Sequence, residues 1–578
     1  MRIGVFFHCL LFSVYFFGSV QAQCIEKIDP VCISIGKDNK DISYLVFLDN
    51  KADFSPSKSF SKKAKANFVY NALIKQADNS QPGLIAFLKG NHVDYRPFYV
   101  VNAILVTSDL ASLYQIACRN DVTSIVYDSD IKLENYVEDR LPKSERSMFP
   151  EWGIFKIMAD SVWKLGYKGQ GVVVGSLDTG VDWEVSPLKS KYRGYVSDDA
   201  ADHSISWHDA IHEINEHYPD TIPNPCGLST TIPCDDLNHG THTVGTMVGQ
   251  DSANIIGVAP DAKWVACRNM DRGWGKLSTY IECFEWMLAP YSEGLDPDPS
   301  KSPDIINNSY YCSQEEGCGL EAFMVMEMVV KTLQASGIFV SVSAGNEGPK
   351  CGTVTGPPGF FESSFSIGAT DETDIIAGFS SRGPVVIDSS FRIKPNVVAP
   401  GVRVRSVIKN GFFASYGGTS MSSPHNAGVV ALMLSANPSL AGHVDIIANI
   451  LEQTAVPLTI PDTCLGYSGL EVPNPFYGYG RINALEAVKA AITTEVKEVE
   501  IFDVDVLVYP NPASSIVFVQ SKKLMDNVTV FDALGHVVLN QDVDAIYTSL
   551  DFSSVAQGLY FVRIKLGDQY LTKAILKE

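Results

Sequence analysis

Positive charge is scarce in this chain: 45 Lys and Arg stand against 66 Asp and Glu among 578 residues, a formal net charge of −21. No basic run gathers into a patch, so nucleic acid and anionic membrane surfaces, which repel such a chain, are excluded as partners. Long apolar runs are missing too. Beyond Ala22 no stretch approaches the roughly 20 residues that a membrane-spanning helix needs, which excludes further helical spans. What remains is an ordinary globular composition, 46% hydrophobic and 19% charged, long enough for about three or four domains with a sizeable core.

The first residues stand apart. Met1-Arg2, the apolar residues Val5 to Phe17 and the ending Val20-Gln21-Ala22 have the charge, apolar centre and small-residue cleavage site of a secretory signal peptide over 1–22. The protein is therefore expected to be exported, and Gln23 before Cys24 argues against a lipid-attachment site. Eleven of the twelve cysteines lie beyond that segment, where an oxidising compartment permits disulfides. Cys226 with Cys234 and Cys312 with Cys318 bracket short polar loops and are expected to pair. Cys24 with Cys32 is a further candidate, although spacing alone leaves the connectivity open.

Residues 23–147 read as a small α+β domain followed by a connector. Strand-like runs at Tyr44–Leu48, Phe98–Val106 and Val122–Tyr127 flank helical stretches at Lys65–Lys75 and Asp109–Ala117. Tyr136–Phe149, with Glu138, Asp139, Arg140, Lys143, Glu145 and Arg146, reads as an exposed connector open to proteolysis. From 148 to 493, β-like runs such as Val172–Leu177 and Ile338–Val342 alternate with helical stretches at Leu277–Leu288 and Ala322–Ala335. That alternation predicts an α/β domain with a mostly parallel sheet and helices on both faces, whose chemistry gathers at the carboxyl ends of the strands. Residues 494–578 begin with a charged linker and continue as short strands without a helical pattern: Val506–Tyr509, Ile516–Val519, Val528–Phe531, Val537–Leu539 and Leu559–Ile564. They predict a β-sandwich.

Three places carry chemistry. In Gly417-Gly418-Thr419-Ser420-Met421-Ser422-Ser423-Pro424-His425, two glycines let another backbone approach and Pro424 suits a first helical turn. The apolar run Ala427–Leu434 then continues as a buried helix. Ser420 would sit at a helix N-terminus, whose unpaired N–H groups favour an oxyanion. A hydroxyl there becomes nucleophilic only with a base, and the base needs an orienting partner. His239, in Asn238-His239-Gly240-Thr241-His242, opens a small-residue helix, and Asp178 ends the buried strand Val172–Leu177.

Together Ser176-Leu177-Asp178-Thr179-Gly180-Val181-Asp182, His239-Gly240-Thr241-His242 and Gly418-Thr419-Ser420-Met421-Ser422-Ser423-Pro424-His425 resemble the active-site blocks of the subtilase family of serine endopeptidases. Asp182-Trp183, Tyr192–Tyr195 and Glu285–Pro290 resemble its bacillopeptidase F group. The resemblance covers about Trp152 to Val488. It implies a subtilisin-like three-layer domain in which Asp178 orients the imidazole, His239 is general base then acid, and Ser420 attacks the scissile carbonyl. His242 is structural on this view. Ser343-Ala344-Gly345-Asn346-Glu347-Gly348 resembles the family's oxyanion segment, which gives Asn346 the role of donor. Gly273, Trp274 and Gly275, with Ser309, Tyr310 and Tyr311, take the places of the two extended segments that bind substrate backbone, and Gly356 that of the pocket floor. Tyr311-Cys312 stands where many relatives carry two glycines, so the side-chain preference is open.

By position the first domain resembles the family's inhibitory propeptide. The last unit, with Val508-Tyr509-Pro510-Asn511-Pro512, Gly558–Arg563 and the terminal Lys573 and Lys577, resembles a type IX secretion sorting domain. Protein or peptide substrates, the chain's own propeptide and the type IX machinery are the partners so implied, and the chemistry needs no cofactor. Two acidic groups, Asp198, Asp199 and Asp202, and separately Asp235 and Asp236, could hold structural calcium. His208-Asp209-Ala210-Ile211-His212 is similar to a zinc-binding pattern with aspartate for glutamate, and would instead make the chain a metallohydrolase. A surface adhesin on a degenerate protease fold is the other rival, and it is disfavoured by the four intact positions.

Overall fold

The computed structural model describes residues 24–38, 41–49, 52–57, 60–133, 136–140, 147–218, 223–310, 319–496, 506–567 and 569–578. The signal segment at 1–22 lies outside them, as do Tyr311, Cys312 and Cys318. The chain forms two compact units, 1–499 and 500–578.

The first unit is built on a seven-stranded sheet. Across it run Trp207–Asp209, Lys263–Arg268, Val173–Asp178, Ile305–Asn308, Phe339–Ser343, Phe365–Thr370 and Val397–Pro400, every neighbouring pair parallel. Such strands are covered on both faces, which is why Val172–Leu177 is apolar throughout instead of alternating. Ile305 and Trp264 face one core, with the helices His239–Val248, Thr419–Ala436, Val444–Gln453 and Ala484–Thr493. Ile306 and Val265 face the other, with Leu277–Leu288 and Leu320–Ala335. This is the expected three-layer α/β domain. Chain order reverses between Val173–Asp178 and Ile305–Asn308, and the crevice at that switch point lies beside Asp178.

The N-terminal α+β part docks on the second helical layer. Its antiparallel sheet runs Asp94–Phe98, Ala103–Ser108, Ile42–Leu48, Val122–Tyr127. The apolar run Phe98–Val106, expected as one strand, is a hairpin instead. Asn102 takes φ 50°, a left-handed conformation that asparagine tolerates, and the chain reverses over Tyr99–Asn102. Leu45, Phe47, Val69, Leu73 and Phe98 share a core with Trp286, Val329 and Leu333.

Carboxylates complete that contact. Asp128 accepts from the N–H (2.8 Å) and hydroxyl (2.7 Å) of Ser278 at the start of helix Leu277–Leu288, where the helix dipole favours a negative charge. Glu285 accepts from the backbone N–H of Tyr99 (2.6 Å) and Val100 (2.9 Å). Glu282 pairs with Arg96.

Tyr136–Phe149 is not simply an exposed connector. Val137–Arg140 pairs antiparallel with the end of strand Phe412–Gly417, and Ser147–Pro150 pairs with Asn254–Ile255. The charged composition suits one edge strand, where alternate side chains reach water.

One disulfide differs from the spacing argument. Cys24 joins Cys118, 94 residues away, while Cys32 is a buried free thiol that desolvation pushes up to about 12. Cys226–Cys234 forms as expected, and Cys267–Cys283 and Cys351–Cys464 add two more.

The second unit is antiparallel throughout: Val506–Tyr509, Ile516–Asp532, Val537–Asp551, Gly558–Leu566 and Gln569–Lys577. The runs expected as separate strands at 516–519 and 528–531 are one long strand. Register shifts against Val537–Asp551 bend the pair and increase its twist. The strands thus wrap a core of Val517, Val528, Val530, Val562, Ile564 and Ile575. Lys573 and Lys577 lie on the final strand.

Burial pushes the Glu285 carboxyl up from 4.5 to about 8, and that of Asp128 up to about 6. A docked state with raised carboxyl values holds its protons more tightly than the separated one. Docking is therefore strongest at low pH and weakens as pH rises through these values. The thermal midpoint of the full-length chain should fall between pH 5 and 8, and Glu285→Gln should flatten that slope. An unchanged slope in the variant would assign the pH dependence elsewhere.

Candidate active site

Asp178 is the last residue of strand Val173–Asp178 and His239 the first of its helix; they are 1% and 0% exposed. His239 Nδ1 donates to both Asp178 oxygens, at 2.8 and 2.9 Å, and Asp178 also accepts from the Thr179 N–H (2.7 Å) and the Thr243 hydroxyl (3.3 Å). With its proton committed to Nδ1, the imidazole presents Nε2 as a lone-pair acceptor. That atom has no hydrogen-bond partner among the described residues.

Small residues permit this closeness. A Cβ on Gly240 would stand 2.1 Å from the Gly180 carbonyl oxygen, so the helix can start against the Asp178-Thr179-Gly180 turn only with glycine there. Asp235 ties the two together. Its carboxylate accepts from the hydroxyls of Thr179 (2.9 Å) and Thr241 (2.5 Å) and from the N–H groups of Leu237, Asn238 and Thr241. Thr179 in turn accepts from the Gly240 N–H at 3.1 Å. The sequence reading offered Asp235 only as a calcium ligand and missed this tying role; the signal was an aspartate just before the histidine helix, where a carboxylate satisfies free N–H groups.

Ser420 is the second residue of helix Thr419–Ala436, and its hydroxyl donates to the Ser309 carbonyl at 3.1 Å. Pro424 lies more than a turn inside this helix, not in its first turn as expected. Proline there has no N–H for the carbonyl four residues back, that of Ser420. The Ser309 hydroxyl supplies the missing donor, at 3.0 Å. Asn346 Oδ1 accepts from the Thr419 N–H (2.9 Å) and hydroxyl (3.0 Å). This fixes the amide so that Nδ2 lies 3.5 Å from where a Gly418 Cβ would be.

His242 is buried behind the pair, stacked on Tyr416 at 4.2 Å, and its Nε2 donates to the carbonyls of Val404 and Ala414. Desolvation holds it neutral, down to about 3.

Of the residues expected to bind substrate, Gly273, Trp274 and Gly275 lie along an edge already filled. Asp130–Lys132 pairs antiparallel with Trp274–Lys276, and the Leu133 N–H donates to the Gly273 carbonyl at 2.7 Å. The Tyr310 side chain turns into the core against Tyr280, 4.3 Å between ring centroids, so only its backbone is left for the cleft. Gly356 starts a buried turn closed by the Gly359 N–H, and Tyr311 lies outside the described residues. The Tyr136 ring packs 5.1 Å from the His239 imidazole and 4.8 Å from Tyr416.

The metal readings fare differently. His208 and His212 occupy a short strand and the loop after it, and each places Nε2 2.8 Å from the same Glu282 oxygen. Asp236 pairs with the buried Arg268 and Asp235 is saturated by internal donors, so neither is left for calcium. Asp198 accepts from Tyr195 and Asp202 from Ser204. Among the described residues no three His, Cys, Asp or Glu gather in a metal-holding group.

The model of the subtilase family matches residues 169–480, more than half of the chain. The chain belongs to the subtilase family. A second model, a secretion system C-terminal sorting domain, matches residues 507–578 and marks the protein for export, to the cell surface or the medium. Bacillopeptidase F of Bacillus subtilis is 35% identical over 450 residues, which are 74% of this chain and 29% of that protein. Subtilisin E of the same species is 30% identical over 405 residues, 69% of this chain and 84% of its own length. A subtilisin of Bacillus pumilus is 30% identical over 342 residues, 58% of this chain and 98% of its own. As a subtilase the chain falls among the serine endopeptidases, a class that needs no cofactor for its chemistry.

Asp235→Ala would leave several buried donors without an acceptor. A loss of about 3 kcal/mol is expected from the cost of unsatisfied buried groups. Denaturant unfolding followed by fluorescence reads it, and a loss below about 1 kcal/mol would deny Asp235 this tying role.

Proposed function

We propose that this subtilase is made as a zymogen and, once cut, hydrolyses peptide bonds in extended polypeptides through an acyl-enzyme on Ser420. The observation that carries the reading is the buried Asp178–His239 pair, whose Nε2 has no partner among the described residues, on a helix packed against the one that begins at Thr419-Ser420. Rotation of the Ser420 side chain from the Ser309 carbonyl toward Nε2 would let His239 take the hydroxyl proton as Oγ attacks the substrate carbonyl. Asp178, held by the Thr179 N–H and the Thr243 hydroxyl, would stabilise the imidazolium. His239 then passes that proton to the leaving amine, and a water activated by the same nitrogen releases the acyl group.

The developing oxyanion would find the Ser420 N–H at the helix N-terminus and the Nδ2 amide of Asn346. Thr419 contributes by holding the other end of that amide. Gly273 to Gly275 would bind substrate backbone, as would the segment at Ser309 to Tyr311, with Gly356 at the pocket floor.

The zymogen reading rests on where the chain is held before and after Glu134-Asn135. Leu133 is bonded to Gly273, and Tyr136 packs against His239. One of the three bonds from Leu133 to Tyr136, across Glu134 and Asn135, is therefore the first to be cut, and the N-terminal domain is the inhibitor so released.

The wild-type protein should start at Glu134, Asn135 or Tyr136 when its N-terminus is sequenced by mass spectrometry, whereas Ser420→Ala should keep this junction uncut. A serine-directed fluorophosphonate should label Ser420 in the processed form. No label on folded, processed protein would sink the endopeptidase reading. Asn346→Ala should lower kcat by about a hundredfold to a thousandfold with a smaller effect on KM, a range known from subtilisin, a member of this family.

A further inference from the structure

A loop at residues 213–218 is fastened along residues 271–276. Asn215 Nδ2 donates to the Asp271 carbonyl at 3.1 Å and the Tyr218 hydroxyl to the Arg272 carbonyl at 2.9 Å. The Arg272 guanidinium lies 3.9 Å from the centre of the Tyr218 ring, and Glu213 pairs with Lys276. Between Asn215 and Tyr218, His217 lays its ring on Trp274, 3.7 Å between centroids and 15° between planes. All these partners belong to the catalytic part of the chain, so none of the ties is lost when the N-terminal domain leaves.

The strand Asp130–Lys132 meets this loop. It lies opposite Lys276, Gly275 and Trp274 in antiparallel register, and strand side chains alternate between two faces. Ile131 and Leu133 are buried in the core, while Asp130 and Lys132 share the other face and reach water. His217 Nε2 donates to the Asp130 carboxylate at 2.9 Å. The Lys132 ammonium stands 5.4 Å from the centre of the Trp274 ring, where a cation is attracted to the ring face. Two opposite charges, two residues apart, are each met by one ring of a stacked pair. The His217 and Asp130 side chains are 36% and 38% exposed, so another chain can take this place without opening a core.

We propose that the His217–Trp274 pair is a specificity site of the mature enzyme. It selects polypeptides with an acidic side chain where Asp130 stands and a lysine or arginine two residues later, where Lys132 stands. The acid lies three residues ahead of the one whose N–H bonds Gly273, upstream of the bond that is cut. The backbone edge holds any extended chain, and His217 with Trp274 chooses among them by charge. The inference rests on the endopeptidase reading, with residues 273–275 binding substrate backbone.

The test uses processed wild-type protein and internally quenched peptides spanning residues 128–140 of its own sequence. In one peptide Asp130 and Lys132 exchange places, which leaves composition and net charge unchanged. It should be cut with a kcat/KM about fivefold lower or more, since each half-exposed charged contact contributes a modest factor. Asp130→Ala in the peptide alone should cost about threefold. His217→Phe in the enzyme keeps a ring for Trp274 but removes the donor. With that enzyme the Asp130→Ala loss should vanish, while the loss from a Lys132→Ala peptide persists. Fluorophosphonate labelling counts the active molecules, so every rate refers to folded enzyme. Equal rates for the native and exchanged peptides overturn the proposal, and that comparison needs no variant to fold. An Asp130→Ala loss that survives in His217→Phe also overturns it. Cleavage of casein with every peptide left intact overturns it as well. Failure to cut casein under the same conditions overturns the endopeptidase reading together with it.

Discussion

The hydrogen bond between His239 and Asp178 is the constraint around which the first unit is organised. Both groups are out of water, and a buried carboxylate is tolerable only when donors surround it. The fold answers by bringing a strand end and a helix start so close that only Gly240 fits between them. Asp235 pins the two backbones from beneath, and Thr243 completes the shell. The parallel sheet matters here as a means of delivery. It carries Asp178 to the switch point beside the Ser309 segment, and Ser309 in turn holds the serine helix where Pro424 has removed a backbone donor.

Much of this is written locally. Asp178 after an apolar run, His239 before a small-residue helix and Ser420 after two glycines are each visible within a few residues, because strand ends and helix starts have local signatures. The sheet class follows from alternation alone. What stayed hidden depends on partners far away in the chain. Nothing near Cys24 announces Cys118, and nothing near Pro424 announces Ser309, 111 residues before Ser420. Asn102 shows how one residue in a left-handed conformation turns an apparent strand into a hairpin. The charged stretch after Tyr136 misled for a related reason: an edge strand has the composition of a solvated connector, and only the cleft tells them apart.

The N-terminal domain is held by features of opposite character. Its apolar residues share a core with the two helices behind the sheet, which binds it without regard to pH. Asp128, Glu285 and the Glu282–Arg96 pair add groups whose charge the docked state must accommodate. The second makes the contact sensitive to conditions while leaving the catalytic layer, on the other face of the sheet, undisturbed.

The covalent continuity of Leu133, bonded to Gly273, with Tyr136, packed on His239, has one more consequence. A segment on so short a tether sits at an effective concentration of the order of millimolar or above, whatever the dilution of the protein. On the zymogen reading its own junction outcompetes every other polypeptide for the cleft during synthesis and export. The first turnover then obeys first-order kinetics, independent of how many copies are present. Each molecule thereby keeps its own time, and a crowd of newly exported chains matures no faster than a single one.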